Sequence, residues 1–181
     1  EGKGSSWEGG QREPCIMRWT GQIPSGVICN KMAATLDLLP TIAQITGAPL
    51  PYNTIDGVNI LSLLLNQPDA NPRDELAYYY RTNSLEAVRK DRWKLLLPHV
   101  GQTYKKVPPG KDGFPSPYME EKVELALYDL SVDPGETIDV KSTNPDIVSQ
   151  LQVIAEKYRK ELGDDLTKTP CSHCRPSGIL P

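Results

Sequence analysis

The sequence is poor in the residues that most often announce chemistry or a compartment. It holds two histidines, His99 and His173, and four cysteines, Cys15, Cys29, Cys171 and Cys174. Cysteines so few and scattered make no disulfide framework, so folding rests on a core and the compartment stays open. Excess charge of either sign is also missing. Lys and Arg number 20 against 23 Asp and Glu, a formal net charge of −3, which leaves no basic stripe for nucleic acid. Long apolar runs are absent: residues 61–65, interrupted by Ser62, are far too short to cross a bilayer. The first ten residues are polar and glycine-rich, unlike a secretion signal, and no Met stands at position 1. What remains is ordinary globular composition, 38% hydrophobic and 24% charged over 181 residues, enough for one domain or one domain with a small partner.

Residues 2–10 surround Lys3, Trp7 and Glu8 with glycine and serine, a loop whose backbone comes close to something. Residues 14–19 read as a short buried strand. From 30 to 47 the period is helical: Leu36, Leu39, Ala43 and Thr46 share a face that Leu38, Ile42 and Ile45 widen. Pro40 should kink that helix or start a second one, and Gly47 before Pro49 stops it. Residues 58–66 read as another short helix, and the turn-rich segment 66–74 as a domain boundary. Beyond it, 76–81, 85–89, 93–97 and 125–130 are strand-like. Between the third and fourth lies a loop, 98–121, with five prolines and three glycines. A loop of that length in a compact domain is usually functional or disordered. A final helix is capped by Asn144, begins at Pro145 and ends at Gly163, with Ile147, Leu151, Ile154, Tyr158 and Leu162 in one stripe. The second part therefore reads as an antiparallel sheet covered by an amphipathic helix.

Residues 2–14, GKGSSWEGGQREP, closely resemble the second signature of the type I sulfatases, G-K-G-[ST]-x-[WY]-E-G-G-x-R-x-P. Further landmarks follow in that family's order. Residues 37–41, DLLPT, resemble its D-L-x-P-T helix, and 55–58, IDGV, its x-D-G-x turn. Residues 88–95, VRKDRWKL, resemble its V-R-x-x-x-W-K-L strand, and 127–136, LYDLSVDPGE, its L-Y-D-L-x-x-D-P-G-E turn. The unit 96–99, LLPH, with the long loop after it looks most like bacterial arylsulfatase-A-like members.

The resemblance implies an α/β fold: the C-terminal part of an alkaline-phosphatase-like sulfatase domain (1–72), then a small α+β subdomain (73–166) and an irregular tail (167–181). It implies an enzyme that hydrolyses sulfate esters of a sulfated sugar or an aryl sulfate, in a periplasmic, secreted or lysosomal setting. Formylglycine and calcium are the cofactors implied, both held by upstream segments, so the missing N-terminal portion is itself an expected partner and this piece is expected to be inactive alone. No residue here is expected to bind metal, and neither nucleic acid nor membrane is an expected partner.

Lys3 is the catalytic residue the resemblance carries over. A fixed ammonium beside the sulfuryl group stabilises charge that moves onto its oxygens. Glu8 and Arg12, four apart, read as a pair that shapes the loop. His99, Arg81 and Asn83 are candidate substrate-binding residues, the first at the start of the long loop and the others after Tyr78-Tyr79-Tyr80. Cys171-Ser172-His173-Cys174 lacks the second ligand pair of a zinc site and reads as a tail disulfide or free thiols. Residues 174–178, CRPSG, imitate the sulfatase nucleophile motif but lack its final Arg. Two other readings stand beside the sulfatase: a stand-alone α+β binding module, and a phosphonate or phosphodiester hydrolase of the same superfamily.

Overall fold

The structure is a computed structural model and describes residues 2–108 and 110–175. The chain divides into two compact units, one made of Glu1–Glu13 with Leu76–Pro181, the other of Pro14–Glu75.

In the first unit, four strands form an antiparallel sheet in the order β1-β2-β3-β6: β1 (Glu75–Tyr80), β2 (Ser84–Lys90), β3 (Trp93–Leu96) and β6 (Ala126–Asp129). Register is fixed by pairs such as Val88 with Leu95 and Leu95 with Leu127. The two-residue period sorts the side chains of β3 and β6 onto two faces, and the sheet is buried on both. Leu85, Val88, Leu95, Leu97 and Leu127 pack with Leu151, Ile154 and Ala155 of helix α4 (Pro145–Leu162). Tyr78, Ala87, Leu96, Ala126, Tyr128 and Leu130 make the opposite face, which Trp7 covers. Pro145 opens α4 and Gly163, at φ 82°, closes it, but Asn144 donates its side chain back to Val140 rather than capping the helix.

The segment that reads as a loop from 98 to 121 begins and ends in a second, two-stranded sheet, β4 (His99–Thr103) with β5 (Met119–Val123). MEEKV is polar and mostly exposed, so its strand character comes from pairing with β4 rather than from burial. After α4 the chain turns through 165–168, closed by a bridge between Asp164 and Thr169, and Cys171 is disulfide-bonded to Cys174. Pro176, Ser177 and Gly178 of the nucleophile-like motif lie outside the described residues.

The second unit holds a 3-10 turn (Thr35–Asp37) running into α2 (Leu38–Thr46), with Gly47 left-handed at its end, and the one-turn α3 (Leu61–Leu64), shorter than the sequence implies. Its anchor is Asp37, fully buried. Its carboxylate accepts from the N–H groups of Ala34 and Val58, each at 2.8 Å, and meets the guanidinium of Arg73 at 2.5 Å. Burial pulls this carboxyl upward, but Arg73 and the two N–H groups outweigh it and hold it below the usual Asp value. Residues 14–19 do not form a strand. They carry no regular secondary structure and pair with no strand among the described residues, and Ile16 stands 97% exposed.

Candidate functional site

Lys3 sits on a turn in the segment 2–11, which lies on the tyrosine-rich face of the first sheet. The Ser5 hydroxyl donates to the carbonyl of Gly2 at 2.8 Å and closes the turn across Lys3. Gly4 is left-handed at φ 94°, a conformation that glycine adopts without steric cost. Tyr80 of β1 donates its hydroxyl to the Ser5 carbonyl, and Gln11 donates to the same hydroxyl. Trp7 packs against Tyr128 with ring centroids 5.8 Å apart. Lys3 itself is exposed, and its ammonium is taken by no described residue.

Beneath this segment is a buried ionic cluster. Lys94 of β3 is fully buried, its Nζ 3.0 Å from Glu8 and 2.8 Å from Glu136, and 4.7 Å above the Tyr78 ring. Glu136 also accepts the backbone N–H of Glu8 at 2.6 Å, and Arg89 approaches Glu8 at 3.7 Å. Two cations and two carboxylates thus neutralise one another out of water, the arrangement a buried charge requires. Glu8 is therefore met by Lys94 and Arg89, and not by Arg12, whose residue is exposed.

A second buried pair lies one strand along. Nε2 of His99 is 3.1 Å from Glu86 of β2, and Nδ1 faces the Leu97 carbonyl at 2.7 Å. Burial pushes the Glu86 carboxyl above its ordinary value, while His99, the Ser6 hydroxyl and Arg81 pull it part of the way back. Arg81, exposed and left-handed at φ 53°, follows β1 and donates to the carbonyl of Val100 at 3.1 Å.

The structure thus gathers the Lys3 segment, Glu86, His99 and Arg81 around the edge formed by β1, β2 and β4, with His99 inside the protein rather than on a loop surface. Asn83 is not among them. Its amide donates to the Leu162 carbonyl at 3.0 Å and its own carbonyl accepts from Asp165, so it ties the β1–β2 turn to the end of α4. Sequence reasoning passed over Lys94, Glu136 and Glu86. The first two stand in quoted landmarks, and strand alternation sets Lys94 on the face opposite Trp93 and Leu95, a charge in an otherwise apolar strand. Among the described residues no group of three or more His, Cys, Asp or Glu could hold a metal ion, and no helix is long and apolar enough to cross a membrane.

The fold is that of a sulfatase. A crystal structure of the PsFucS1 sulfatase from Pseudoalteromonas sp. superposes with a TM-score of 0.70 at 22% identity, covering 87% of this chain and 31% of that one. Two family profiles match: the C-terminal region of aryl-sulfatase over residues 71–176, and the C-terminal region of N-sulphoglucosamine sulphohydrolase over residues 3–107. Arylsulfatase A of Homo sapiens is 35% identical over 159 residues, 83% of this chain and 31% of that protein. Arylsulfatase A of Bos taurus is 31% identical over 196 residues, 97% of this chain and 38% of that protein. The chain belongs to the type I sulfatases and corresponds to their C-terminal region. It spans about a third of the length of the curated relatives it matches.

Proposed function

We propose that the chain serves a sulfuric ester hydrolase and contributes Lys3 to the site that holds the sulfate. The observation that carries this reading is an exposed, uncommitted ammonium on a turn fixed from below by buried charge pairs. The backbone from which Lys3 springs is held by Ser5, Tyr80 and Glu8, which fixes where the side chain starts and leaves its ammonium available to an anion. As the ester bond breaks, negative charge grows on the sulfuryl and leaving-group oxygens. An ammonium held against those oxygens in the full enzyme would stabilise that charge.

In this reading 1–72 completes the large catalytic domain, 73–166 is the C-terminal subdomain and 167–181 a tail. The substrate is a sulfated carbohydrate or an aryl sulfate. Arg81, exposed at the same edge, is the further cation that would meet a sulfated sugar, while His99 acts on that rim from within through Glu86. Asn83 belongs with the α4 end rather than the rim. Calcium and formylglycine are the cofactors that the family implies for the full-length enzyme. A disulfide at Cys171 and Cys174 accords with a periplasmic, secreted or lysosomal protein.

The test is steady-state kinetics of the full-length enzyme carrying this chain. Lys3→Ala should lower turnover by roughly 10²–10³, the usual cost of one preorganised electrostatic contact. It should weaken inhibition by sulfate and leave the melting temperature nearly unchanged. Lys3→Arg should rescue poorly, because a planar, delocalised guanidinium does not replace a point charge. Near-normal turnover of Lys3→Ala would remove Lys3 from the chemistry.

A further inference from the structure

We infer that Lys94, through Glu8 and Glu136, is a positioning residue for Lys3; this rests on the reading of Lys3 as the sulfate-facing cation. The route is short. Glu8 opens the single helical turn α1 (Glu8–Gln11), and its carboxylate and backbone N–H are both committed to the cluster at 3.0 Å from Lys94 and 2.6 Å from Glu136. Gly10 of that turn lies directly against the carbonyls of Gly2 and Ser5, so closely that a Cβ there would collide with both. Gly2 and Ser5 bracket Lys3, and the Ser5 hydroxyl donates to the Gly2 carbonyl at 2.8 Å. Any displacement of α1 is therefore passed to the Lys3 turn by hard contact rather than through a flexible tether.

Lys94 keeps α1 where it is. Glu136 reaches Glu8 from a left-handed residue, φ 54°, at the end of the D-P-G-E turn. Without the ammonium between them, two carboxylates would face each other in a buried space, and with Arg89 3.7 Å away the remaining cation is too distant to hold both. The cheapest relief is for α1 to lift from the sheet, carrying Lys3 with it. Three segments distant in sequence, 2–11, β3 and the turn before residue 137, thus meet in one ammonium whose consequence is read at Lys3. Lys94 does not touch the reacting group.

A double-mutant cycle in the full-length enzyme tests this, with kcat and KM measured on a chromogenic aryl sulfate and melts run alongside. Lys94→Met fills the same channel without charge. It should lower kcat by roughly 10-fold or more while KM changes little, because the interaction displaced is one made in the transition state. In the Lys3→Ala background the same substitution should cost less than about 2-fold, since residues that act as one unit are not additive. Multiplied losses in the double variant, or normal kcat with only a lowered melting temperature, would overturn the proposal. Lys3→Ala alone separates the two readings: if it turns over normally, the role of Lys3 has failed and the positioning role with it. If Lys94→Met does not fold, Glu136→Gln enters the same cycle. It retains an oxygen to accept the Glu8 N–H while weakening the hold on Lys94, and the same non-additivity with Lys3→Ala is expected.

Discussion

Nδ1 of His99 faces the carbonyl oxygen of Leu97 at 2.7 Å, and a carbonyl can only accept, so Nδ1 carries a hydrogen. Nε2 lies 3.1 Å from Glu86 Oε2, so the ring covers this buried carboxyl from the β4 side. Removing the ring strands a buried carboxyl. His99→Ala should cost about 1–3 kcal/mol of stability at neutral pH, the penalty of leaving a buried polar group unsatisfied. The pH dependence follows from the sign of the Glu86 shift. Its folded-state value lies above the unfolded one because burial disfavours the charged form, so the folded state takes up a proton first as pH falls. The cost of burying the charge is therefore greatest at neutral pH and fades toward the ordinary Glu value of about 4.3. Melts of His99→Ala should recover relative to the wild type as pH is lowered from neutral toward the ordinary Glu value of about 4.3. A constant gap across that range would mean that Glu86 does not feel the lost ring.

At the scale of elements, α2 is positioned by its preceding carboxylate rather than by its own apolar face. Leu39, Ile42 and Ile45 are exposed, while Asp37 is fully buried between two backbone N–H groups and Arg73. Breaking such a pair from one side leaves an uncompensated charge and costs about 3–5 kcal/mol. Asp37→Ala should thus strip the protection of amides in α2 and at Val58 in hydrogen exchange, while β2 and β3 exchange as before. Asp37 is lowered in the folded state, so its contribution is fully present above the unfolded Asp value of about 3.9 and is lost as pH falls through the lower folded value. Acid should accordingly open this unit below about pH 4, a transition that is absent in Asp37→Ala. If the two proteins exchange alike at pH 3 and 7, Asp37 is not the anchor.

For the whole molecule, the surface of residues 14–75 decides behaviour. Ile16, Ile28, Leu39, Ile42 and Tyr52 are all at least half exposed, more apolar surface than a small soluble unit ordinarily leaves in water. The irregular run 14–19 also offers backbone groups without a ladder among the described residues. Expressed alone, the chain should self-associate and bind dyes that report apolar surface. It should hydrolyse no chromogenic aryl sulfate above background with or without calcium, because binding groups without a nucleophile have nothing to orient. A clean monomer with a sharp cooperative melt would contradict the first expectation, and turnover that persists through purification the second.

Sequence alone determined the sheet, its covering helix and the family. The short apolar run Trp93-Lys94-Leu95-Leu96, buried on both faces, and the one-sided stripe Leu151-Ile154-Tyr158 are both local patterns that the chain carries by itself. The five landmarks lie in order along the chain, so their recognition needed no contact between them. Pairing was a different matter. Whether 14–19 has a strand beside it, whether MEEKV meets HVGQT, and whether Glu8 turns to Arg12 or to Lys94 all depend on groups far away in sequence. Lys94 lies 86 residues from Glu8, and only tertiary packing could bring that ammonium beneath the Lys3 turn. The same packing took His99 from the mouth of a loop into the interior, because a buried Glu86 on the neighbouring sheet demanded a partner that water could not supply.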